Sequence, residues 1–326
     1  MINVLVPEAG GIGALNIIKC LREDKRIRIV AVDAQEYAVG LYKADKKYIV
    51  LKVEDPAYFD VLLEICDREN IDILFPSFDQ LILEYSKNRE LFERRGIKVI
   101  VNDIETIEIA SNKLLLYKKL KELIPIAETL TYEEIDLESN NLFPMIMKPI
   151  RASGSANVYK INSKDELLKY ASLFQEKINE FIFQEYLDGP EYTVDMLCDF
   201  DGRPLAIVPR KRLEIKAGVT YKGVTVKNQE IDTIGKKLSE YLKFKGPICF
   251  QVGTLTKSGE IKLFEINPRI CGTMIFTKNA GVNMPLLAVK LAMGEKVESM
   301  ELRYKEGIVM LRYWDEMYIE REKIND

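Results

Sequence analysis

Apolar positions near the start of the chain fall into short runs separated by longer stretches at helical spacing. Residues 2–6 (INVLV) predict a buried strand. The segment Glu8-Ala9-Gly10-Gly11-Ile12-Gly13 leads into 14–21, where Leu15, Ile18 and Leu21 share one helical face. Further strands are predicted at 28–33, 48–51, 72–76 and 96–101, and helices at 58–69 and 81–94. Strands alternating with helices imply a parallel sheet covered on both faces.

The pattern changes near Ser111, which reads as the N-cap of an amphipathic helix over 113–123, stopped by Pro125. Strands are predicted at 144–148, 181–186, 192–199, 205–209, 249–255 and 261–266. The last two are joined by the turn Thr256-Lys257-Ser258-Gly259. Helices are predicted at 164–175, 231–242 and 284–294, and the aromatic stretch 307–320 reads as strand. There is no repeat and no low-complexity segment.

Composition narrows the chemistry. The 326 residues include 47 Lys+Arg, 51 Asp+Glu and no histidine, for a net charge of −4. Without imidazole there is no Ser-His-Asp or Cys-His nucleophile, no histidine general base, and no three-His or HExxH zinc site. Carboxylates, lysine, arginine, backbone and hard metals remain. Five scattered cysteines without a CxxC point to free thiols in a reducing compartment, so a cytoplasmic location is expected. Pro7 and Glu8 interrupt the first apolar run, which argues against a signal peptide. No apolar stretch reaches the ~18 residues of a membrane span, and the acidic balance argues against a nucleic-acid partner.

Several segments carry candidate chemistry. Gly10 to Gly13, between a strand and a helix, suits either a ligand-binding turn or simply a tight turn, and Asp33 stands 20 residues after Gly13, where a ribose acid might stand in a dinucleotide fold. Lys148 ends a strand and is followed by a loop containing Ser153, Gly154 and Ser155. That is a phosphate device, with a surface turn as the plainer reading. Gln184-Glu185-Tyr186-Leu187 precedes a Gly-Pro turn and Glu191; such a linker can read an adenine edge with its backbone and a ribose with its acid, with a plain turn as the simpler reading. Gln251 and Glu265 lie on strands joined by a tight turn, and Glu265 and Asn267 alternate onto one face. Three oxygen ligands so placed suit a hard cation such as Mg²⁺, and Arg269 adds a donor fork for phosphate. Arg210, Lys211, Arg212 and Lys216 form a basic run, read either as a solvated face or as an anion site.

Taken in order, and ending in the FEINPR segment with a Gln fourteen residues before its Glu, these motifs resemble the ATP-grasp superfamily. Within it they are most similar to the carbamoyl-phosphate-synthase large-subunit type and related carboxylate-amine ligases. The resemblance implies an α/β chain with a parallel-sheet pre-ATP-grasp domain over 1–105. An α+β ATP-grasp fold of two subdomains over 106–326 follows, its lid at about 125–190. It implies Lys113 and Lys148 on the ATP phosphates, 151–157 as a mobile lid loop, Gln184 to Leu187 as adenine hinge, Glu191 on the ribose and Phe264 on the purine. It further implies Gln251, Glu265 and Asn267 as Mg²⁺ ligands, with Mn²⁺ as a substitute, and Arg269 at the transferring phosphate. Arg212, with Lys148 and Arg269, completes the expected catalytic set, and Arg210, Gly10, Gly11 and Ser77-Phe78-Asp79 are expected near substrate.

The activity so implied is ADP-forming ligation of a small carboxylate to an amine through an acylphosphate, with amino-acid-like substrates. Phosphorylation of bicarbonate or carbamate and a non-catalytic ATP-binding subunit are the alternatives. Relatives of this kind often dimerise, which makes a homodimer the expected assembly. Some positions depart from the family pattern. One ATP-grasp unit is present where carbamoyl phosphate synthase has two. Cys271-Gly272-Thr273 is unlike the biotin carboxylase continuation. Asn112 precedes Lys113 where many relatives have Asp.

Overall fold

The apolar runs of the first hundred residues become strands of one parallel sheet. The computed structural model describes residues 1–139, 142–151, 154 and 157–324. The chain begins β1 (Ile2–Val6), α1 (Ile12–Leu21), β2 (Ile27–Asp33), β3 (Lys46–Ile49), α2 (Tyr58–Glu69) and β4 (Ile73–Leu74). Then come α3 (Ile82–Lys87), α4 (Arg89–Glu93) and β5 (Lys98–Val99). The strand order is β3-β2-β1-β4-β5, so the winding reverses between β1 and β4. One helix was expected over 81–94. The chain instead breaks at Asn88, whose side-chain amide donates to the carbonyl of Glu84 at 2.9 Å.

Helix α5 (Ile104–Ser111), absent from the sequence reading, comes next, followed by α6 (Lys113–Leu120), which was expected over 113–123. Ser111 is the last residue of α5, not a cap. Asn112 caps α6, its side-chain oxygen accepting from the Leu115 amide at 3.0 Å.

Next come β6 (Thr129–Leu130), β7 (Met145–Pro149), β8 (Tyr159–Ile161), α7 (Lys164–Phe174) and β9 (Phe181–Glu185). They form a four-stranded sheet in the order β6-β9-β7-β8. Ser163 caps α7 by accepting from the Glu166 amide, and Asp165 and Glu166 place negative charge in its first turn.

The third sheet is built from β10 (Glu191–Cys198), β11 (Pro204–Lys216), β12 (Val219–Thr225), β13 (Gly246–Thr254), β14 (Ile261–Asn267) and β15 (Val309–Leu311). Its order is β14-β13-β10-β11-β12-β15. Helix α8 (Gln229–Leu242) covers one face, together with α5 and α6. Helices α9 (Met274–Asn279) and α10 (Met284–Ala292) join α1 and the parallel sheet in a second core. That core locks the N-terminal sheet against the six-stranded one.

The basic run belongs to a strand that continues past the end expected at Pro209. β11 continues to Lys216 and turns back through Ala217 and Gly218, at φ +46° and +74°. At the other end of the chain, only Val309–Leu311 of the stretch read as strand over 307–320 pairs, along the edge of β12. Among the described residues, no helix is long and apolar enough to cross a membrane.

Candidate active site

The β13–β14 hairpin aligns its polar residues as their spacing predicts. Gln251 stands directly opposite Glu265, and Cys249 opposite Asn267. Directly paired residues of an antiparallel ladder point to the same face, so the Gln251 and Glu265 oxygens converge. The Asn267 amide lies 3.5 Å from a Glu265 oxygen. Here an amide and a carboxylate from one strand meet an amide from the next, and this donor set fits a hard divalent cation.

Facing the hairpin is β7 of the four-stranded sheet. Its Lys148 is buried, with Nζ 5.3 Å from the centre of the Phe264 ring and donating to the Phe264 carbonyl at 3.4 Å. Burial pushes the Lys148 ammonium down to about 8; Glu265 partly offsets this and Lys113 adds to it. Lys113, the first residue of α6, is also buried and lines the same cavity.

The hinge between the two sheets is 186–190. Gly189 N donates to Thr254 O at 2.8 Å, and a Cβ on Gly189 would lie 2.6 Å from that oxygen, so only glycine fits the approach. This crossing opens a cavity of about 230 Å³. Ile146, Leu187 and Phe264 give it apolar walls, Lys113 and Lys148 a cationic end, and Glu265, Gln251 and Glu191 its oxygen ligands.

Most of the residues singled out in the sequence line this cavity: Lys113, Lys148, Gln184, Glu185, Tyr186, Leu187, Glu191, Arg212, Gln251, Phe264 and Glu265. Their side chains are not all turned inward. Gln184 donates to Thr129 Oγ1 at 2.9 Å, and Glu185 pairs with Lys262 at 3.0 Å. Tyr186 lies under Lys160, whose Nζ is 3.7 Å from its ring centre. What this hinge offers a ligand is therefore backbone. Gly154 takes the left-handed φ of +71°, and Ser153 and Ser155 lie outside the described residues.

Asn267 and Asp79 line a neighbouring cavity of about 440 Å³, which shares Lys113 and Glu265 with the first, and Arg269 stands at its edge, two residues past Asn267. Arg269 is held there by Asp79. Its Nε donates to one Asp79 oxygen at 2.6 Å, its Nη2 to the other, and its Nη1 to the Ile270 carbonyl at 2.7 Å.

Arg210 and Arg212 lie two apart on β11 and so share a face, but their surroundings differ. Arg212 Nη1 reaches Glu191 at 3.1 Å and Gln251 at 3.3 Å, and Nη2 donates to Gly218 O at 2.8 Å. Arg210 is fully buried, 2.5 Å from Asp195 and 2.7 Å from Thr273 Oγ1, and so belongs to the core. The donor atoms of Asp195, Cys249 and Cys271 lie within 4.8 Å of one another. Asp195, however, is already engaged by Arg210 and Thr277, and the group reads as part of that network.

Sequence reasoning missed the Asp79 partner of Arg269 and the reach of the β11–β12 hairpin, which puts Ile215 and Gly218 at the cavity. The alternation Arg-Lys-Arg-Leu-Glu-Ile-Lys followed by Ala-Gly was the available hairpin signal. The distant Asp79–Arg269 pair had none.

Residues 177–315 match the family described as "ATP-grasp in the biosynthetic pathway with Ter operon", and residues 10–100 match "PylC-like, N-terminal domain". The carbamoyl phosphate synthase large chain of Thermoanaerobacter sp. (strain X514) is 30% identical over 234 residues, 66% of this chain and 21% of that protein. This chain thus spans about a fifth of the length of that relative. Among solved structures, a biotin carboxylase–β,γ-ATP complex from Campylobacter jejuni superposes with a TM-score of 0.74 at 14% identity, over 93% of this chain and 73% of that one. An L-amino acid ligase from Bacillus licheniformis gives 0.69 at 16% identity, over 93% and 78%. At these identities the likeness is one of fold.

Proposed function

We propose that this chain, which carries an ATP-grasp domain behind a PylC-like N-terminal domain, is an ATP-dependent ligase that activates a small carboxylate as an acylphosphate for attack by an amine. The observation that carries this reading is the cavity between the two antiparallel sheets, where Lys113 and Lys148 stand opposite the Gln251–Glu265 pair. In this reading residues 1–105 form the pre-ATP-grasp domain and 106–326 the ATP-grasp domain, with its lid at about 125–190.

The roles follow from chemistry. The hinge backbone from Gln184 to Leu187 reads the adenine edge, Phe264 packs on the purine, and Glu191 accepts the ribose hydroxyls. Lys113 and Lys148 neutralise the phosphates. Gln251, Glu265 and Asn267 hold Mg²⁺, for which Mn²⁺ is a substitute. When bound, the ion screens the phosphate charge that otherwise repels an incoming carboxylate. A substrate carboxylate oxygen attacks the γ-phosphorus, the bond to the β-phosphate oxygen breaks, and ADP leaves. Arg269, oriented by Asp79, faces the transferred group, and Arg212 positions Glu191 and Gln251. The amine then displaces phosphate. Positioning and charge supply the catalysis, because the carboxylate nucleophile is already ionised.

The test is ADP and phosphate release from MgATP over a panel of carboxylates paired with amino acids. Turnover that requires both partners is expected. MgATP binding without turnover on any pair would overturn the ligase reading. A second reading, phosphorylation of bicarbonate or carbamate, is supported by the carbamoyl phosphate synthase relative. It requires ADP release with bicarbonate and ammonia and no amino acid.

A further inference from the structure

We propose that the cavity beyond the carboxyl ends of β1, β2 and β3 holds the primary ammonium group of an amino-acid substrate, with Glu8 as the carboxylate that receives it. This assignment rests on the ligase reading: the ammonium anchors an amino-acid substrate and is not the attacking amine, which must be neutral.

The cavity measures about 650 Å³ and lies away from the nucleotide cavity. It sits beside the reversal of strand order between β1 and β4, where open parallel sheets bind their ligands. Charged groups in its wall are Glu8, Asp33, Glu54 and Lys52, a balance that favours a cation. Asp33 is already committed, accepting from the amides of Gly10 and Gln35 at 2.8 Å each.

Glu8 is held in an unusual way. Its φ is +48°, a left-handed backbone that costs a non-glycine residue energy and is kept where the surroundings over-determine it. Two buried tyrosines fix its carboxyl, Tyr85 donating to Oε1 at 2.6 Å and Tyr58 at 3.0 Å. The other oxygen, Oε2, is buried without any hydrogen-bond partner among the described residues. A buried acceptor left unsatisfied is destabilising, and a donor arriving from the cavity would remove that cost. Burial, against the tyrosine bonds, pushes the Glu8 carboxyl up to about 7, and a cation placed beside it would favour its ionised form.

The cavity also neighbours the site already described. Phe78 lines this cavity, and the next residue, Asp79, lines the cavity of Asn267. That second cavity shares Lys113 and Glu265 with the nucleotide cavity. The Phe78-Asp79 step thus borders the Glu8 cavity on one side and the cavity next to the nucleotide site on the other.

Calorimetric titration of the full chain tests this with the twenty common L-amino acids and the N-acetyl form of each binder, with MgADP titrated in parallel. At least one amino acid should bind, its N-acetyl form should bind tenfold more weakly or not at all, and Glu8→Gln should weaken the amino acid at least tenfold while MgADP affinity stays within twofold. Leu51→Trp, which adds bulk to the exposed wall of the cavity, should weaken the amino acid similarly; if Glu8→Gln does not fold, this variant decides. Equal binding of the N-acetyl form, unchanged affinity in the variants, or MgADP binding with no amino-acid binding would each overturn the assignment. Amino-acid binding through Glu8 in a chain that does not bind MgADP would uphold this cavity and overturn the ligase reading.

Discussion

Asp79, in the loop that follows β4, grips the guanidinium of Arg269, just past β14, through both carboxylate oxygens across 190 residues of sequence. The pair fastens the N-terminal sheet to the edge of the candidate phosphate-transfer site, and it holds the arginine fork in one orientation. Desolvation alone would drive the guanidinium toward neutrality; Asp79 more than offsets it, so Arg269 stays charged.

Removing either partner should therefore have two separable effects. Asp79→Ala leaves a half-buried charge unpaired and should cost about 1.5–3 kcal/mol in urea unfolding. Arg269→Lys keeps the charge but loses the fork, and should lower turnover by roughly 10²–10³ with a smaller loss of stability. Turnover unchanged in Arg269→Lys would remove the arginine from the reaction.

Glu265 is the hairpin carboxylate opposite Gln251. Glu265→Gln preserves the shape and removes one negative charge from the oxygen set. The Mg²⁺ concentration needed for half-maximal turnover should rise, and turnover at saturating Mg²⁺ should fall by about 10²-fold or more. An unchanged Mg²⁺ dependence would count against the metal assignment.

Lys148 makes the clearest pH statement. Its buried ammonium is pushed down to about 8. In the free protein it carries its charge below that pH and loses it as pH rises through 8. Nucleotide binding to the neutral form must take up a proton, so MgADP affinity should fall from pH 7 to pH 9. Lys148→Met should bind more weakly at pH 7 and lose that slope. Calorimetry in buffers of different ionisation heat reads the proton uptake directly.

The Arg210–Asp195 pair supplies a contrast. Both side chains are essentially inaccessible, and no cavity of the candidate site includes them. Arg210→Ala strands a buried carboxylate and should destabilise the fold by about 3–5 kcal/mol. Where that variant still folds at low temperature, MgADP affinity should be near that of the parent, a result that separates Arg210 from its neighbour Arg212.

Local pattern carried much of this protein. The alternation of apolar runs and helical spacing in the first hundred residues is enough for a covered parallel sheet, because each element there buries its own regular face. The Gln251–Glu265–Asn267 set was legible because strand periodicity and a tight turn determine which side chains meet. Lys148 was legible as a candidate because a lysine at a strand end before a Gly/Ser loop is a common phosphate device, while its burial, against the surface-turn reading, needed the tertiary structure.

What the sequence left open depended on long-range packing. Charge patterning treats Arg210 and Arg212 alike, and only the register of β10 against β11 delivers one to Asp195 in the core and the other to Glu191 at the cavity. Glu185 looked like part of a binding linker, yet its side chain turns to Lys262. The Glu8 carboxyl read as part of a turn until Tyr58 and Tyr85, from two later helices, closed around it. Sequence by itself determined which segments are strand or helix and which short-range residues share a face. Tertiary structure decided which charges are buried, paired or left facing a cavity, because desolvation and pairing are properties of the assembled neighbours and not of any one segment.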